Sequence, residues 1–468
     1  MSEIDKKQKQ IQNSALVVAL ITNFVTPFAV TALNIAVPHI GVEFDASTTS
    51  LTWIVLSFII VTAVLSIPFG RLADIYGRSK ILKSGILIFC IASIANAFSP
   101  DMSIFILCRV IQGIGGAMIF STNIAILVDV FPANKRGSVL GISIASVYVG
   151  SSLGPIVGGL ITHAYSWRAV FVVIAILTLI AFITAVFRSP KEETVKHEGK
   201  KIKASSFIFF IISVGLFLYG IATIMQNLLS YFLLGAGFVL IILYVKYEAR
   251  NEMPLLEVRL FKKNRVFVLS LLAAVFNYAA ILAIAFLMSL YLQLGRGLSA
   301  DLSGLILICQ PVVQAALSPV AGRISDKKSP ATIASIGMAC CSAALLMFVL
   351  LNEQTPIPYI IGGLLLTGFG VAFFSSPNTN VILSSVSNKD YGVASSMVST
   401  ARTFGQVIGM AILNLIIQLV IGDKPIAEVG PKILIYDMQI SYIVFAAICV
   451  VGVLISLQRR KKAAVVEG

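Results

Sequence analysis

Stretches of about 20 residues that carry almost no charge recur along nearly the whole chain. A helix needs about 20 mostly apolar residues to cross the hydrocarbon layer of a bilayer, so each stretch has the length of one membrane span. The stretches lack the alternating pattern of barrel strands, and a span in lipid has to satisfy its backbone groups within itself. The sequence therefore predicts an all-α polytopic membrane protein. We count about fourteen spans, at 14–36, 48–69, 82–99, 103–128, 138–161, 167–187, 205–225, 229–246, 266–293, 302–321, 331–351, 357–384, 392–420 and 437–457.

The charged residues agree with a membrane setting. They make up 12% of the 468 residues, about half the roughly 25% of soluble domains. The net charge of +14 raises the question of nucleic-acid binding, but Lys and Arg concentrate in every second connection between spans. Since basic residues favour the cytoplasmic face, the pattern predicts a multi-pass protein of the cytoplasmic membrane with both termini in the cytoplasm, and no nucleic-acid partner. The other connections hold only Arg168, Arg296, Lys424 and Lys432.

A sequence repeat indicates how the spans are organised. The segment GRLADIYGR that begins at Gly70 returns in degraded form as GRISDKK from Gly322. At roughly 30 residues per helix and connection, about eight helices separate the two copies. We therefore expect an N-terminal six-helix bundle at 1–190, a linker with two additional transmembrane helices at 191–264 and a C-terminal six-helix bundle at 265–468. Such a parallel repeat relates the bundles by an axis along the membrane normal.

The first copy of the repeat reads as a short charged loop. Gly70 and Gly77 permit tight turns, and Asp74 can pair with Arg side chains such as Arg78. Together with Asp326 of the second copy, these residues are candidates for a conformational latch that holds the halves together on one face. The alternative is a solvated loop that only obeys the rule of cytoplasmic positive charge.

The fourth span contains LCRVIQGIGGA, in which Arg109 and Gln112 lie about one helical turn apart. A charge at the centre of a span costs roughly 2.5 to 3.5 kcal/mol on insertion scales. We therefore expect Arg109 to face a polar cavity or a partner.

The fifth span contains GSSLGPIVGG, a stripe of small residues around a proline. Small residues every four positions allow close approach of a neighbouring helix, and the proline favours a bend. The alternative for any single glycine is simple packing. The stripe consists of Gly150, Gly154, Pro155, Gly158 and Gly159.

Together, GRLADIYGRSK, LCRVIQGIGGA and GSSLGPIVGG resemble the sequence motifs of drug/proton antiporters of the major facilitator superfamily. NIAVP from Asn34 and SWRAVF from Ser166 are similar to segments of the subgroup with fourteen helices. The resemblance implies multidrug efflux by alternating access, in which two bundles rock about a central cavity, with H⁺ as the coupling ion. One position departs from the family pattern, because Ala29 stands where an Asp is frequent. We also find no Asp or Glu at the middle of a predicted span, and the acids near span ends are Asp129, Asp74 and Glu43.

Polar and aromatic side chains within the spans are candidates for the cavity wall. Amide and aromatic groups suit a broad, adaptable binding site. Arg109 and Arg402 would make the cavity favour anionic or zwitterionic cargo, although a lone Phe or Gln can equally be a packing residue. The candidate substrate-binding residues are Phe28, Thr31, Asn34, Arg109, Gln112, Asn277, Gln310, Gln314, Asn378 and Arg402.

The sequence leaves three kinds of function open. The first is efflux of amphipathic drugs coupled to protons, and the second is export of a defined metabolite, lipid or anionic antibiotic. The third, a membrane enzyme or receptor, has little support, because no acid, His or Ser groups stand at catalytic spacing and no soluble domain is evident. ATP-driven transport is also disfavoured, since the chain has no GxxxxGK[ST] loop. We expect no enzyme activity, cofactor or metal.

Overall fold

The computed structural model describes residues 3–188, 203–224, 228–251, 255, 264–386, 391–422, 424–425 and 428–459. Apart from connections and an isolated bridge between Ser47 and Pro425, these residues are helical. The helices are α1 Glu3–Glu43, α2 Thr48–Tyr76, α3 Arg78–Ala97, α4 Met102–Val130, α5 Ala133–Ala164, α6 Trp167–Arg188, α7 Ala204–Ala222, α8 Leu228–Glu248, α9 Arg265–Leu290, α10 Ala300–Leu307, α11 Cys309–Lys327, α12 Pro330–Val349, α13 Ile357–Ser384, α14 Tyr391–Val420 and α15 Pro431–Gln458. A π-helical turn, Tyr291–Gly295, continues α9.

The helices have the dimensions of membrane spans. Among the described residues, thirteen spans are long and apolar enough to cross a bilayer, with α10 and α11 together forming one of them. Helix α5 is 32 residues long and packs beside α1 and α10. The prediction of an all-α polytopic membrane protein is confirmed.

Helix ends follow local sequence signals. Ser47 and Asn264 each cap a helix, because their side-chain oxygens accept the backbone N–H three residues later, at 3.2 Å and 2.9 Å. Gly77 alone separates α2 from α3, and its φ of 103° lies in the region that favours glycine. Pro431 begins α15 because a proline at the first helical position lacks only an N–H that would have no partner there.

Two local expectations are wrong. The segment from Gly70 was expected to be a short loop, but residues 70–76 complete the last turns of α2 and only Gly77 makes the turn. Helix α11 likewise runs through the second copy to Lys327. The last span, expected from residue 437, begins at Pro431. Lys432 and Asp437 interrupt the apolar run, and a hydropathy pattern therefore places the helix start too late.

The two sets of six spans repeat one packing pattern. In the first half, α1 packs against α5 and α6, α2 against α4, and α3 against α4 and α6. In the second half, α9 packs against α14 and α15, α11 against α13, and α12 against α13 and α15. Between the halves, α2 packs against α14 and α5 against α10, so that the second span of each half meets the fifth span of the other.

The additional pair α7 and α8 lies beside this arrangement. The two helices pack against each other, and α7 also contacts α2 and α14, whereas α8 contacts α7. Asn414 of α14 is fully buried and donates from Nδ2 to the backbone oxygen of Ala222, at the end of α7, at 2.8 Å. The pair therefore covers the contact between α2 and α14, which joins the halves.

Candidate functional site

The two halves are joined at the end of the bundle where α1 ends and α2 begins, which we call the closed face. On the seam between α2 and α14, the backbone N–H of Thr48 donates to the oxygen of Lys424 at 3.0 Å, and its Oγ1 donates to the oxygen of Gly422 at 2.9 Å. Further into the span, Thr52 Oγ1 donates to Asn414 Oδ1 at 2.5 Å. The two bonds of Thr48 satisfy backbone oxygens just beyond the end of α14, and the bond of Thr52 joins side chains of opposite halves.

A second seam lies between α1 and α9, and a proline explains its hydrogen bonds. Pro38 within α1 has no N–H, so the backbone oxygen of Asn34, four residues earlier, has no helical partner. Ser289 Oγ of α9 donates to this oxygen at 2.6 Å, and Gln293 Nε2 donates to the next backbone oxygen, that of Ile35, at 3.1 Å. Side chains of the second half therefore provide hydrogen-bond donors for backbone oxygens that Pro38 leaves without helical partners in the first half.

A third seam, between α5 and α10, depends on glycine. A Cβ on Gly159 would lie 2.5 Å from the backbone oxygen of Ala300, and a Cβ on Gly304 would lie 2.1 Å from the backbone oxygen of Pro155. Neither contact can be relieved by turning a side chain, because the opposing atoms belong to the backbone. The small residues therefore let the halves approach more closely than other residues would allow.

The remaining glycines of the α5 stripe face α1 within the first half. A Cβ on Gly154 would lie 1.8 Å from Thr31 Oγ1, and a Cβ on Gly158 would lie 2.7 Å from that of Ala32. Gly150 similarly opposes backbone atoms of Phe24. The stripe thus serves two contacts, one inside a half and one between the halves.

Arg109 lies inside the first half. Its side chain is 1% exposed, donates from Nε to the backbone oxygen of Ile54 at 3.1 Å and from Nη1 to Gln112 Oε1, and stacks on the Phe58 ring at 4.5 Å. Gln112 in turn donates to Ser93 at 2.8 Å. The charge is balanced by a carbonyl, an amide and an aromatic ring, and among the described residues no carboxylate pairs with it.

Arg402 has a different setting, near the middle of α14. It is half-buried and lies within electrostatic range of the Tyr278 hydroxyl of α9. That hydroxyl shares a 2.6 Å hydrogen bond with Ser375 of α13 and is also in electrostatic range of Tyr148 of α5, in the opposite half. Arg402 makes no hydrogen bond or ion pair with the described residues. We call Tyr148, Tyr278, Ser375 and Arg402 the central polar cluster.

The other predicted binding residues of the first half lie along α1. Phe28 is buried and its ring stacks on Phe24, with centroids 5.5 Å apart. Thr31 is half-buried, and its hydroxyl donates to the backbone oxygen of Pro27 at 2.9 Å. Asn34 is buried, and its Oδ1 has no hydrogen-bond partner in the described structure.

The predicted binding residues of the second half lie on several different helices. Gln310 and Gln314 lie on α11, the first nearly buried and the second half-buried. Asn277 is fully buried on α9, and neither atom of its amide has a partner in the described structure. Asn378 accepts from Arg459 Nη1 at 2.6 Å, so its side-chain oxygen is engaged by the end of α15. A role in substrate binding stays a prediction for each of these residues.

The described structure does not show a contact between the halves at the predicted latch residues. Arg78 pairs with Asp129 of α4 at 2.5 Å, which ties α3 to α4 within the first half. The side chains of Asp74 and Asp326 lie outside the described part of the structure. A latch between the halves at these residues therefore stays a prediction.

A buried acid was missed by the sequence reasoning. Asp437 is 0% exposed within α15, and neither of its side-chain oxygens has a hydrogen-bond partner in the described structure. Asp437 is the seventh of the 28 residues of α15, so it lies within the span but not at its middle. An uninterrupted helical pattern from Pro431 was the available signal.

The two six-span halves, the three seams that join them and the polar groups between them define a polytopic membrane transporter. A family model of the Major Facilitator Superfamily matches residues 19–410 and 267–467. The chain belongs to this superfamily, and it is a transporter and not an enzyme.

Similar proteins agree with this assignment. The riboflavin transporter RibZ of Clostridioides difficile (strain 630) is 26% identical over 452 residues, which cover 96% of this chain and 97% of RibZ. The multidrug resistance protein Stp of Mycobacterium tuberculosis (strain CDC 1551 / Oshkosh) is 27% identical over 391 residues, or 82% of this chain and 71% of Stp. A bacterial homolog of the human lysosomal transporter Spinster, solved inward-facing and unoccupied, shares the fold with a TM-score of 0.70 at 16% identity, covering 98% of each chain.

Proposed function

We propose that this transporter exports amphipathic organic compounds across the cell membrane by alternating access, driven by protons that move inward. Both termini lie in the cytoplasm, so that the closed face is extracellular and the central polar cluster is reached from the cytoplasm. Lys and Arg, which concentrate at the ends of spans opposite the closed face, support this orientation.

The observation that carries the proposal is the contrast between the two ends of the bundle. Hydrogen bonds and glycine contacts join the halves at the closed face. Deeper in the bundle, Tyr148 and Arg402 of opposite halves stay partly exposed at the middle of their helices. Polar groups in a span are costly unless they line a cavity or meet a partner, so these groups mark a chamber that serves cargo.

The names of the relatives support transport of varied organic compounds. Stp is named a multidrug resistance protein, and RibZ is named a riboflavin transporter. Aromatic and hydroxyl groups of the central polar cluster suit planar organic molecules that carry some polar atoms.

Transport in reconstituted vesicles tests the proposal. The protein is placed in liposomes with a fluorescent amphipathic dye outside and an imposed pH gradient, and dye movement is compared with that in vesicles without protein. We expect uptake into acidic vesicles by the molecules whose cytoplasmic side faces outward, and loss of this uptake when nigericin collapses the gradient. Unchanged dye movement after collapse of the gradient would remove proton coupling from the proposal.

A second candidate, export of an anionic compound, is favoured by Arg402. Its guanidinium has no acidic partner among the described residues, whereas Arg109 is balanced within the first half. An unpaired guanidinium in a chamber can bind a carboxylate or phosphate through two hydrogen bonds.

Two dyes with the same ring system separate the candidates. Rhodamine 123 is cationic and carboxyfluorescein is anionic, while both carry a xanthene core. If the anion candidate holds, Arg402→Gln lowers carboxyfluorescein transport at least tenfold and leaves rhodamine transport in place. Arg402→Lys, which keeps the charge, is the matched control and retains part of the transport. Equal loss of both dyes in Arg402→Gln would instead indicate a structural role.

A further inference from the structure

The buried acid Asp437 is an anomaly in this protein. It lies at the seventh position of α15, beyond the first turn where the helix dipole stabilises negative charge. Its side chain is 0% exposed, and both oxygens lack hydrogen-bond partners in the described structure. By contrast, a hydrogen-bond or ion-pair partner engages each of the helix-end acids Glu43, Asp129 and Glu248.

No cation among the described residues compensates Asp437. On its own helix, Lys432 is exposed and starts the first turn. On α14, Arg402 lies 18 residues before the helix end at the closed face, which is about 27 Å along the axis. The described part of α9 that packs on α15 ends in the π turn, where the Tyr291 hydroxyl donates to the backbone oxygen of Asn352 at 2.7 Å.

Two further described cations, Arg459 just after α15 and Arg265 at the start of α9, lie at the opposite end of the bundle, and Arg459 is about 33 Å from Asp437 along the axis. The other titratable groups around α15 are neutral. Helix α12 contributes Cys341, and α15 itself contributes Tyr442 and Cys449, all buried. Thiols and phenols ionise well above pH 7, and burial disfavours their charged forms further. Among the described residues, no positive charge therefore lies near Asp437 and no donor is hydrogen-bonded to it; the Ser441 hydroxyl, one turn further along α15, also lacks a partner there.

The position of Asp437 on the helix relates it to the closed face. Residues three and four apart share one side of a helix, so Asp437 lies on the side of Ile433 and Ile440. Those two residues line an open groove between α14 and α15 together with Lys432 and Tyr436 of α15 and with Leu419 and Val420, the last residues of α14. Asp437 lies six residues after Pro431, about 9 Å from the end of α15 at the closed face, and α15 packs there against the π turn that continues α9, the helix of the α1–α9 seam.

Burial decides the protonation state of such a group. A carboxylate without partners in an apolar interior is so costly that the group holds a proton instead. Ionisation becomes favourable only in an arrangement that brings water or a donor to the oxygens. Conformation and proton occupancy are then linked, since each shifts the equilibrium of the other.

We infer that Asp437 is a proton-binding site whose protonation stabilises the closed face. With the proton bound, the halves stay joined at the closed face. As pH rises and the proton is lost, the population of molecules whose halves have separated at this face increases. One part of the inference rests on the proposed function, namely that Asp437 is the coupling site. In that role, Asp437 takes up a proton from the extracellular side when the closed face opens.

The test measures opening of the closed face without any cargo. Spin labels are attached to Tyr165→Cys and Leu350→Cys, two exposed positions at the closed face in opposite halves, in a background without the six native cysteines. Distances are measured by electron–electron resonance in lipid nanodiscs between pH 5 and pH 9. We expect a longer distance to gain population as pH rises, and Asp437→Asn, which imitates the protonated acid, to stay closed across the range.

Two further variants keep the result decisive. Asp301→Asn removes the acid that lies 3.8 Å from His163 at the same face, the competing source of pH dependence. We expect it to keep the pH response, whereas a response lost in Asp301→Asn and kept in Asp437→Asn overturns the inference. If Asp437→Asn does not fold, Asp437→Glu keeps a carboxyl group and is expected to shift the midpoint of opening; an unshifted midpoint, or no opening in the unaltered protein, also overturns it.

The result is separable from the proposed function. If opening of the closed face depends on Asp437 but dye transport does not depend on the pH gradient, the proton site is supported and proton-driven efflux is refuted. Dye transport that follows the pH gradient in Asp437→Asn as in the unaltered protein would sustain efflux and refute Asp437 as the coupling site.

Discussion

Gly304 offers the sharpest test of how the halves are held together. In Gly304→Ala, the new Cβ would lie 2.1 Å from the backbone oxygen of Pro155, whereas ordinary contacts begin at 3.4 Å, so α10 and α5 have to separate by about 1.3 Å. Backbone oxygen cannot rotate away. We therefore expect the strain to act on the seam between the halves and not on a single side chain.

The expected size follows from the cost of overpacking. An inserted methyl group in a tightly packed site costs about 1–3 kcal/mol. If this strain is released when the closed face opens, the ratio of open to closed molecules rises by about 5–150-fold. The same spin-label pair at the closed face measures this ratio at constant pH.

Gly362→Ala is the matched control, because nothing lies within 4 Å of a Cβ at Gly362 on α13. It makes the same chemical change in a membrane helix, and we expect the distance distribution to remain that of the unaltered protein. If Gly304→Ala and Gly362→Ala give the same distribution, the seam between α5 and α10 does not set the equilibrium and the reasoning fails.

Three further substitutions distinguish packing within a half from contacts at its surface. Gly154→Ala presses α5 against α1 inside the first half, so we expect a loss of about 1–3 kcal/mol of stability, seen as a lower Tm in detergent without a change in the label distances. Arg109→Lys removes the hydrogen bond to the Ile54 carbonyl and the planar stack on Phe58; a loss of about 1.5–3 kcal/mol is expected, and an unchanged Tm would contradict this assignment. Arg78→Gln breaks an exposed pair, so thermal unfolding should change by less than about 1 kcal/mol.

Much of the architecture was predictable from local pattern. Bilayer thickness fixes the length of an apolar run, so runs of about 20 residues indicate helices whatever the tertiary packing. The glycines of the fifth span were recognisable for a related reason. Small residues at intervals of four lie on one side of a helix and allow a neighbouring helix to approach closely. Both inferences need only the period of the helix and the properties of lipid.

Arg109 and Arg402 show where such reasoning ends. Each is a single arginine within an apolar helix, and both were expected to line the cavity. In the structure, Nε and Nη1 of Arg109 donate to groups of its own half while Nη2 has no partner in the described structure, whereas Arg402 stays half-buried beside Tyr278. The difference depends on which neighbouring helix supplies a carbonyl or a ring, and a linear pattern does not contain that information.

The sequence by itself determined the helical class and an approximate number of spans, because solvation of the backbone in lipid is a property of the chain. Only the tertiary structure decided that Pro38 leaves a carbonyl for Ser289, that Gly304 opposes Pro155 and that Asp437 has no partner. These facts depend on the rotation of each helix about its axis and on its distance from the next. Packing between helices sets both quantities, and it involves residues that are hundreds of positions apart.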